Sequence, residues 1–116
     1  MTAVKYFDGR ETGNSGLYIQ PYDTIFINAY LDDIYKKKVL YHEMGHVGQY
    51  LENYERMKEK FELQADRNMI HHLLLDYIPT LDFIEDFNVC RFMDAYRLKT
   101  TVNETMVIEE FNNLVN

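Results

Sequence analysis

The apolar pattern of this 116-residue chain changes period once, at Asn28, and that change confines it to an α+β architecture. Before Asn28 the β-prone runs are short: Leu17-Tyr18-Ile19 and Thr24-Ile25-Phe26-Ile27, separated by Gln20-Pro21-Tyr22-Asp23. Two such runs joined by four turn-forming residues predict a hairpin, and residues 4–7 supply a third strand. Between them, residues 8–16 carry Gly9, Gly13, Asn14, Ser15 and Gly16, the chemistry of a loop. The strands, at about 4–28, are expected to make a short antiparallel sheet.

After Asn28 the apolar residues recur at helical spacing. Asp32 and Asp33 offer an N-cap, and a first helix is expected over about 32–52, with Leu40, Met44, Val47 and Leu51 as its core stripe. Residues 52–60 are polar and read as its end plus a loop. A second helix, at about 61–78, carries Phe61, Leu63, Ala65, Met69, Ile70, Leu73 and Leu74 and stops at Pro79. The tail, 80–116, reads as short helices at 81–87, 89–98 and 107–114 with a break at 100–103. With 47% apolar residues and no internal repeat, residues 1–116 are expected to form one domain around one modest core.

The first helix contains His42-Glu43-Met44-Gly45-His46, an H-E-x-x-H sequence. Four-residue spacing puts both imidazoles on one helix face, one turn apart. Neutral imidazole suits Zn²⁺, and Glu43, beside the first ligand, can act as general base on water without taking a coordination position. The structural alternative is a buried His pair with a Glu between, which would need a partner for each polar group.

A catalytic zinc commonly takes three protein ligands. Glu62, near the start of the second helix, is the expected third, for one Zn²⁺ per chain, with Glu59 a weaker alternative. Asp66, one turn on, is placed to accept the free ring N–H of a ligating histidine. His71 and His72 point away from Glu62 on a helical wheel and read as boundary histidines, although His72 reaches substrate if the two helices cross steeply. Tyr54 and His72 are the expected oxyanion-stabilising side chains.

At these residues the chain resembles the ImmA/IrrE family of metallo-endopeptidases, in which a His-Glu-x-Gly-His helix precedes a helix of pattern Glu-x-x-Ala-(Asn/Asp). The counterparts here are His42 to His46 and Glu62-Leu63-Gln64-Ala65-Asp66, and the likeness extends back through Gly16-Leu17-Tyr18-Ile19 and Ile25-Phe26-Ile27-Asn28. It covers roughly residues 16–79. Two features depart from the family pattern: Asn68-Met69 follows the third-ligand motif where many members have Phe-Ala, and the helix common upstream of the strands is not expected within these 116 residues. The resemblance implies a minimal zincin-like fold with gluzincin-type ligation, the motif helix leading a helical bundle. It also implies a protein substrate, a helix-turn-helix repressor whose cleavage derepresses a phage, mobile element or stress regulon. A zincin holds its substrate as an added strand, which points to the edge at Ile25, Phe26 and Ile27. The alternatives are a metal-stabilised antirepressor that binds without cutting, or one half of a toxin–antitoxin pair.

The net charge of −7 argues against direct nucleic-acid binding and suits a basic protein partner. The N-terminus lacks the plan of a signal peptide and no apolar run reaches membrane-spanning length, so the expectation is a cytoplasmic protein without a membrane partner. Cys90, the one cysteine, has no partner for an internal disulfide and is expected to pack in the core.

Overall fold

The computed structural model describes residues 1–116, apart from the side chains of Thr101 and Val102. It is α+β, with a three-stranded sheet and four helices, and it divides into two compact units, residues 1–69 and 70–116.

The first unit holds the sheet: β1 (Ala3–Phe7), β2 (Gly16–Ile19) and β3 (Thr24–Asn28), in the order β1-β3-β2. The expected hairpin is β2–β3, antiparallel, with Tyr18 opposite Ile25. Its connection is a 3-10 turn that starts with Pro21 early and closes at Asp23 in the left-handed region, φ 45°. The hydroxyls of Thr2 and Tyr18 both donate to Asp23 Oδ1, at 2.8 and 2.9 Å, and hold that turn. The expectation of a purely antiparallel sheet needs correction, because β1 runs parallel to β3, with Val4 beside Ile25. The reason lies in burial. Ile25 and Ile27 are each 1% exposed, so the most apolar strand takes the central place, where neighbours on both sides satisfy its backbone, and β1 closes the remaining side.

The loop from β1 back to β2 is fixed at Asn28. Its side chain accepts from the backbone N–H of Gly9 and Tyr30 and donates to the carbonyl of Asn14. Only glycine fits at position 9, since a Cβ there would stand 2.4 Å from the Asn28 amide.

Helix α1 (Asp33–Met44) begins at the expected cap, the Asp32 carboxylate accepting from Tyr35 N–H at 2.9 Å. It lies on β2 and β3, with the Gly16 backbone against Val39. It ends well before residue 52. Val47 and Leu51 therefore lie beyond it, Met44 and Val47 are exposed, and the expected core stripe does not form. Helix α2 (Tyr54–Tyr77) starts earlier than expected and is broken at Met57, where φ −115° and ψ 20° leave helical geometry. Phe61, Ala65 and Met69 on it join Ile25 and Ile27 as the buried apolar residues of the first unit.

The second unit starts at Ile70, inside α2. Past Tyr77 a 3-10 turn carries Pro79, and then come α3 (Val89–Ala95, capped by Asn88) and α4 (Thr101–Val115, capped by Thr100). The expected helix at 81–87 is a single 3-10 turn at Ile84–Asp86. The expected break at 100–103 shortens to the Thr100 cap, whose hydroxyl accepts from Asn103 N–H and so starts a helix rather than ending one. Ile70, Leu73, Leu74, Phe92, Met93, Leu98, Met106 and Val107 form this unit's buried apolar set. Cys90 is exposed on α3 and takes no part in it, contrary to the expectation. Among the described residues no helix is long and apolar enough to cross a membrane.

Candidate metal centre

The end of α1 builds half of the site. The N–H groups of Gly45 and His46 turn back to the carbonyls of His42 and Glu43, three residues behind, each at 3.0 Å. The last turn thus tightens to 3-10 geometry before Gly48, at φ 88°, redirects the chain. His46 sits just past the helix but still beside His42, their ring centroids 5.1 Å apart.

Gly45 also sets where the other half comes from. A Cβ at this position would lie 2.6 Å from Ala65 Cα and 3.1 Å from Asn68 Cβ, so α1 meets α2 main chain to main chain at Gly45 and Ala65. Asn68 ties the crossing with a 2.8 Å hydrogen bond from its amide to the Tyr41 carbonyl. Glu62, three residues before Ala65, and Asp66, one after it, then face the two histidines.

Glu62 Oε2 stands 2.9 Å from His42 Nε2 and 3.5 Å from His46 Nε2. One donor atom from each of the three residues lies within 4.8 Å of the others. A tetrahedral ion with donors at about 2.1 Å separates any two of them by roughly 3.4 Å, so the spacing fits. Two imidazole nitrogens and one carboxylate oxygen also suit a divalent ion. The group His42, His46 and Glu62 can hold a metal, and among the described residues no other three His, Cys, Asp or Glu side chains converge in this way. Glu59, the alternative third ligand, is exposed and outside the group.

Each histidine is held from its far side. His42 Nδ1 donates to Asp66 Oδ1 at 2.9 Å, as the spacing of the two carboxylates on α2 had suggested. His46 Nδ1 pairs with Gln49 Oε1 at 2.7 Å, and the Gln49 amide donates to the Phe61 carbonyl and to Gln64 Oε1. Because the Phe61 carbonyl can only accept, the amide group of Gln49 is the donor there, which leaves its oxygen for His46. Gln49 was missed in the sequence. Its one signal is a polar side chain three residues after the second histidine, which becomes informative only once the chain is known to turn there.

The charges are arranged around the histidines. Burial pulls the His42 pKa down, but the hydrogen bond and charge of Asp66, with the charges of Glu43 and Glu62, outweigh it and leave it above its ordinary 6.5. Burial raises the Glu43 pKa, and Glu62 adds to this. The two histidines and a hydrogen bond from the Tyr18 backbone oppose it only in part. The Glu43 carboxyl thus holds a proton to higher pH than a solvated one.

A cleft of about 370 Å³ opens onto this group, lined by Leu17, Tyr18, Glu43, His46, Leu51, Tyr54 and Glu62. Tyr54, expected near the chemistry, is there, but its hydroxyl donates to Glu62 Oε1 at 2.5 Å, so its one proton is not free for an oxyanion. Ile25, Phe26 and Ile27 are not at an edge. They lie in the central strand, paired on both sides, and Ile25 and Ile27 are buried, so they cannot take an added peptide strand. The edge strand that reaches the cleft is β2, through Leu17 and Tyr18. His72 belongs to the second unit, where its ring packs edge-on against His71 at 5.4 Å.

No family model, curated protein or solved structure matches this chain.

Proposed function

We propose that the chain is a minimal zincin-like, zinc-dependent endopeptidase of the ImmA/IrrE type, its substrate a helix-turn-helix repressor. The observation that carries the reading is the convergence of His42 Nε2, His46 Nε2 and Glu62 Oε2, with Glu43 on the wall of the same cleft. A zinc ion held by these three residues supplies Lewis-acid chemistry, polarising a carbonyl and making water more acidic.

The chain's own residues do the rest. Asp66 and Gln49 fix the ring orientation of His42 and His46, so that both Nε2 atoms face inward. Glu43, its pKa raised by burial, takes a proton from the attacking water and returns it to the leaving amine. The β2 edge offers backbone groups to an extended peptide, and Leu17 and Leu51 give the cleft an apolar wall. The net charge of −7 complements a basic, DNA-binding partner.

Metal analysis of the purified protein and of its His46→Ala and Glu62→Ala variants is the test. About one zinc per chain in the wild type and a large loss in both variants is expected. Incubation with a repressor substrate should then give two fragments, and none with Glu43→Gln. Relief of repression by a zinc-loaded Glu43→Gln protein would replace cleavage with antirepression by binding. A wild type that takes up no metal would end the reading altogether.

A further inference from the structure

Tyr54 and Glu62 lie eight residues apart on α2, about 12 Å along a straight helix at 1.5 Å per residue. Glu62 leans back toward the N-terminus, as helical side chains do, but Tyr54 in a regular helix would lean away from it. They meet only because α2 is broken between them: Met57, at φ −115° and ψ 20°, turns the first residues of the helix out of line. The phenol then reaches Glu62 Oε1 at 2.5 Å while its ring packs near His46, 6.3 Å away, and Phe61, 6.5 Å away. The broken turn thus delivers a hydrogen-bond donor to one chosen oxygen of the carboxylate. The other, Oε2, is the one that faces both histidines.

From this division of the carboxylate we infer that Tyr54 is a positioning residue that reserves Oε1 of Glu62, so that the metal receives a single oxygen from this side chain and keeps a coordination place open for water and substrate. The inference rests on the metal-site reading above and adds a mechanism for its open position. A carboxylate with both oxygens free can bind an ion through both. Tyr54 opposes that by engaging Oε1 and by limiting rotation of the side chain through the same contact.

The probe is Co²⁺, whose visible absorption band is intense in four-coordinate sites and several-fold weaker when a fifth donor joins. Wild type, Tyr54→Phe and, as a control, Tyr50→Phe at an exposed tyrosine are titrated with Co²⁺, and Zn²⁺ affinity is measured by competition with a chromophoric chelator. Tyr54→Phe keeps the ring contacts with His46 and Phe61, so far-UV circular dichroism should match wild type. The expected result is a weaker, shifted Co²⁺ band together with Zn²⁺ affinity changed by about ten-fold or more, the range for loss of a partner behind a ligand. Tyr50→Phe should match wild type in both. An unchanged Co²⁺ band in Tyr54→Phe would overturn the inference whatever the Zn²⁺ affinity does, because an affinity change alone is what loss of any partner behind a ligand gives, and would leave the metal site intact. A wild type with no Co²⁺ band and no Zn²⁺ uptake would instead remove the site, and the inference with it.

Discussion

Replacing Gly45 by alanine tests whether the helix crossing sets the metal centre. The new Cβ would sit 2.6 Å from Ala65 Cα, closer than real Cβ contacts come, and 3.1 Å from both Asn68 Cβ and the His42 carbonyl. The first obstacle is main chain, so no rotamer change relieves it, and α1 and α2 must move apart. Forcing a methyl into such a contact costs about 1–3 kcal/mol. Opposing this, Gly45 has helical dihedrals, φ −67° and ψ −18°, where alanine is favoured by about 0.4–1 kcal/mol. The net is a loss of about 1–2 kcal/mol, or roughly 5–10 °C in melting temperature for a chain of this size. Thermal melts with a chelator present read the packing term alone, and zinc competition reads the separation of His42 and His46 from Glu62. Ala65→Gly should not rescue the variant, because the Ala65 Cα remains where it was. Gly48→Ala provides the contrast: no atom lies within 4 Å, but φ is 88°, so it should cost about 1 kcal/mol in stability with little change in zinc affinity. A Gly45→Ala protein as stable as wild type, with equal zinc affinity, would refute the crossing argument.

Asp66→Ala should weaken zinc binding by about 10–100-fold by freeing His42 Nδ1, and Gln49→Ala should do the same through His46; isothermal titration that finds either variant unaltered would show that ring to be held by other contacts. The apparent zinc affinity should begin to fall on acidification at a higher pH than an ordinary histidine would give, because the raised pKa of His42 lets a proton compete earlier, and chelator-competition titrations at stepped pH read this. With chelator present the trend reverses, the protonated His42 contributing stability that is full below its unfolded pKa of about 6.5 and lost as pH rises through the higher folded value; urea midpoints across pH 5 to 9 check the sign.

Spacing alone paired His42 with His46 and Glu62 with Asp66, because helical periodicity fixes which side chains share a face whatever the helix packs against; that the two pairs meet depends on the crossing at Gly45 and Ala65. The β2–β3 hairpin, the Asp32 cap and the stop at Pro79 are local in the same sense. What stayed hidden depends on partners far along the chain. Strand order was one case: Ile25 and Ile27 suit a central strand, yet their alternation looks the same at an edge. Gly45 was another, since a glycine inside an H-E-x-x-H motif does not declare that it ends the helix and admits Ala65. The pairings of Gln49 with His46 and of Tyr54 with Glu62 depend on a turn and on a broken helix that no periodicity marks.

The contact of Gly45 with Ala65 has a wider consequence. Side chains at a helix interface can be exchanged for others of similar bulk, and each exchange shifts the axes a little. Where two backbones touch there is nothing to exchange, and the separation acts as a fixed gauge between the histidines and the carboxylates. Residues elsewhere on α1 and α2 are then free to be recut for a different surface, substrate or partner without retuning the metal centre, provided that the two small residues stay in register.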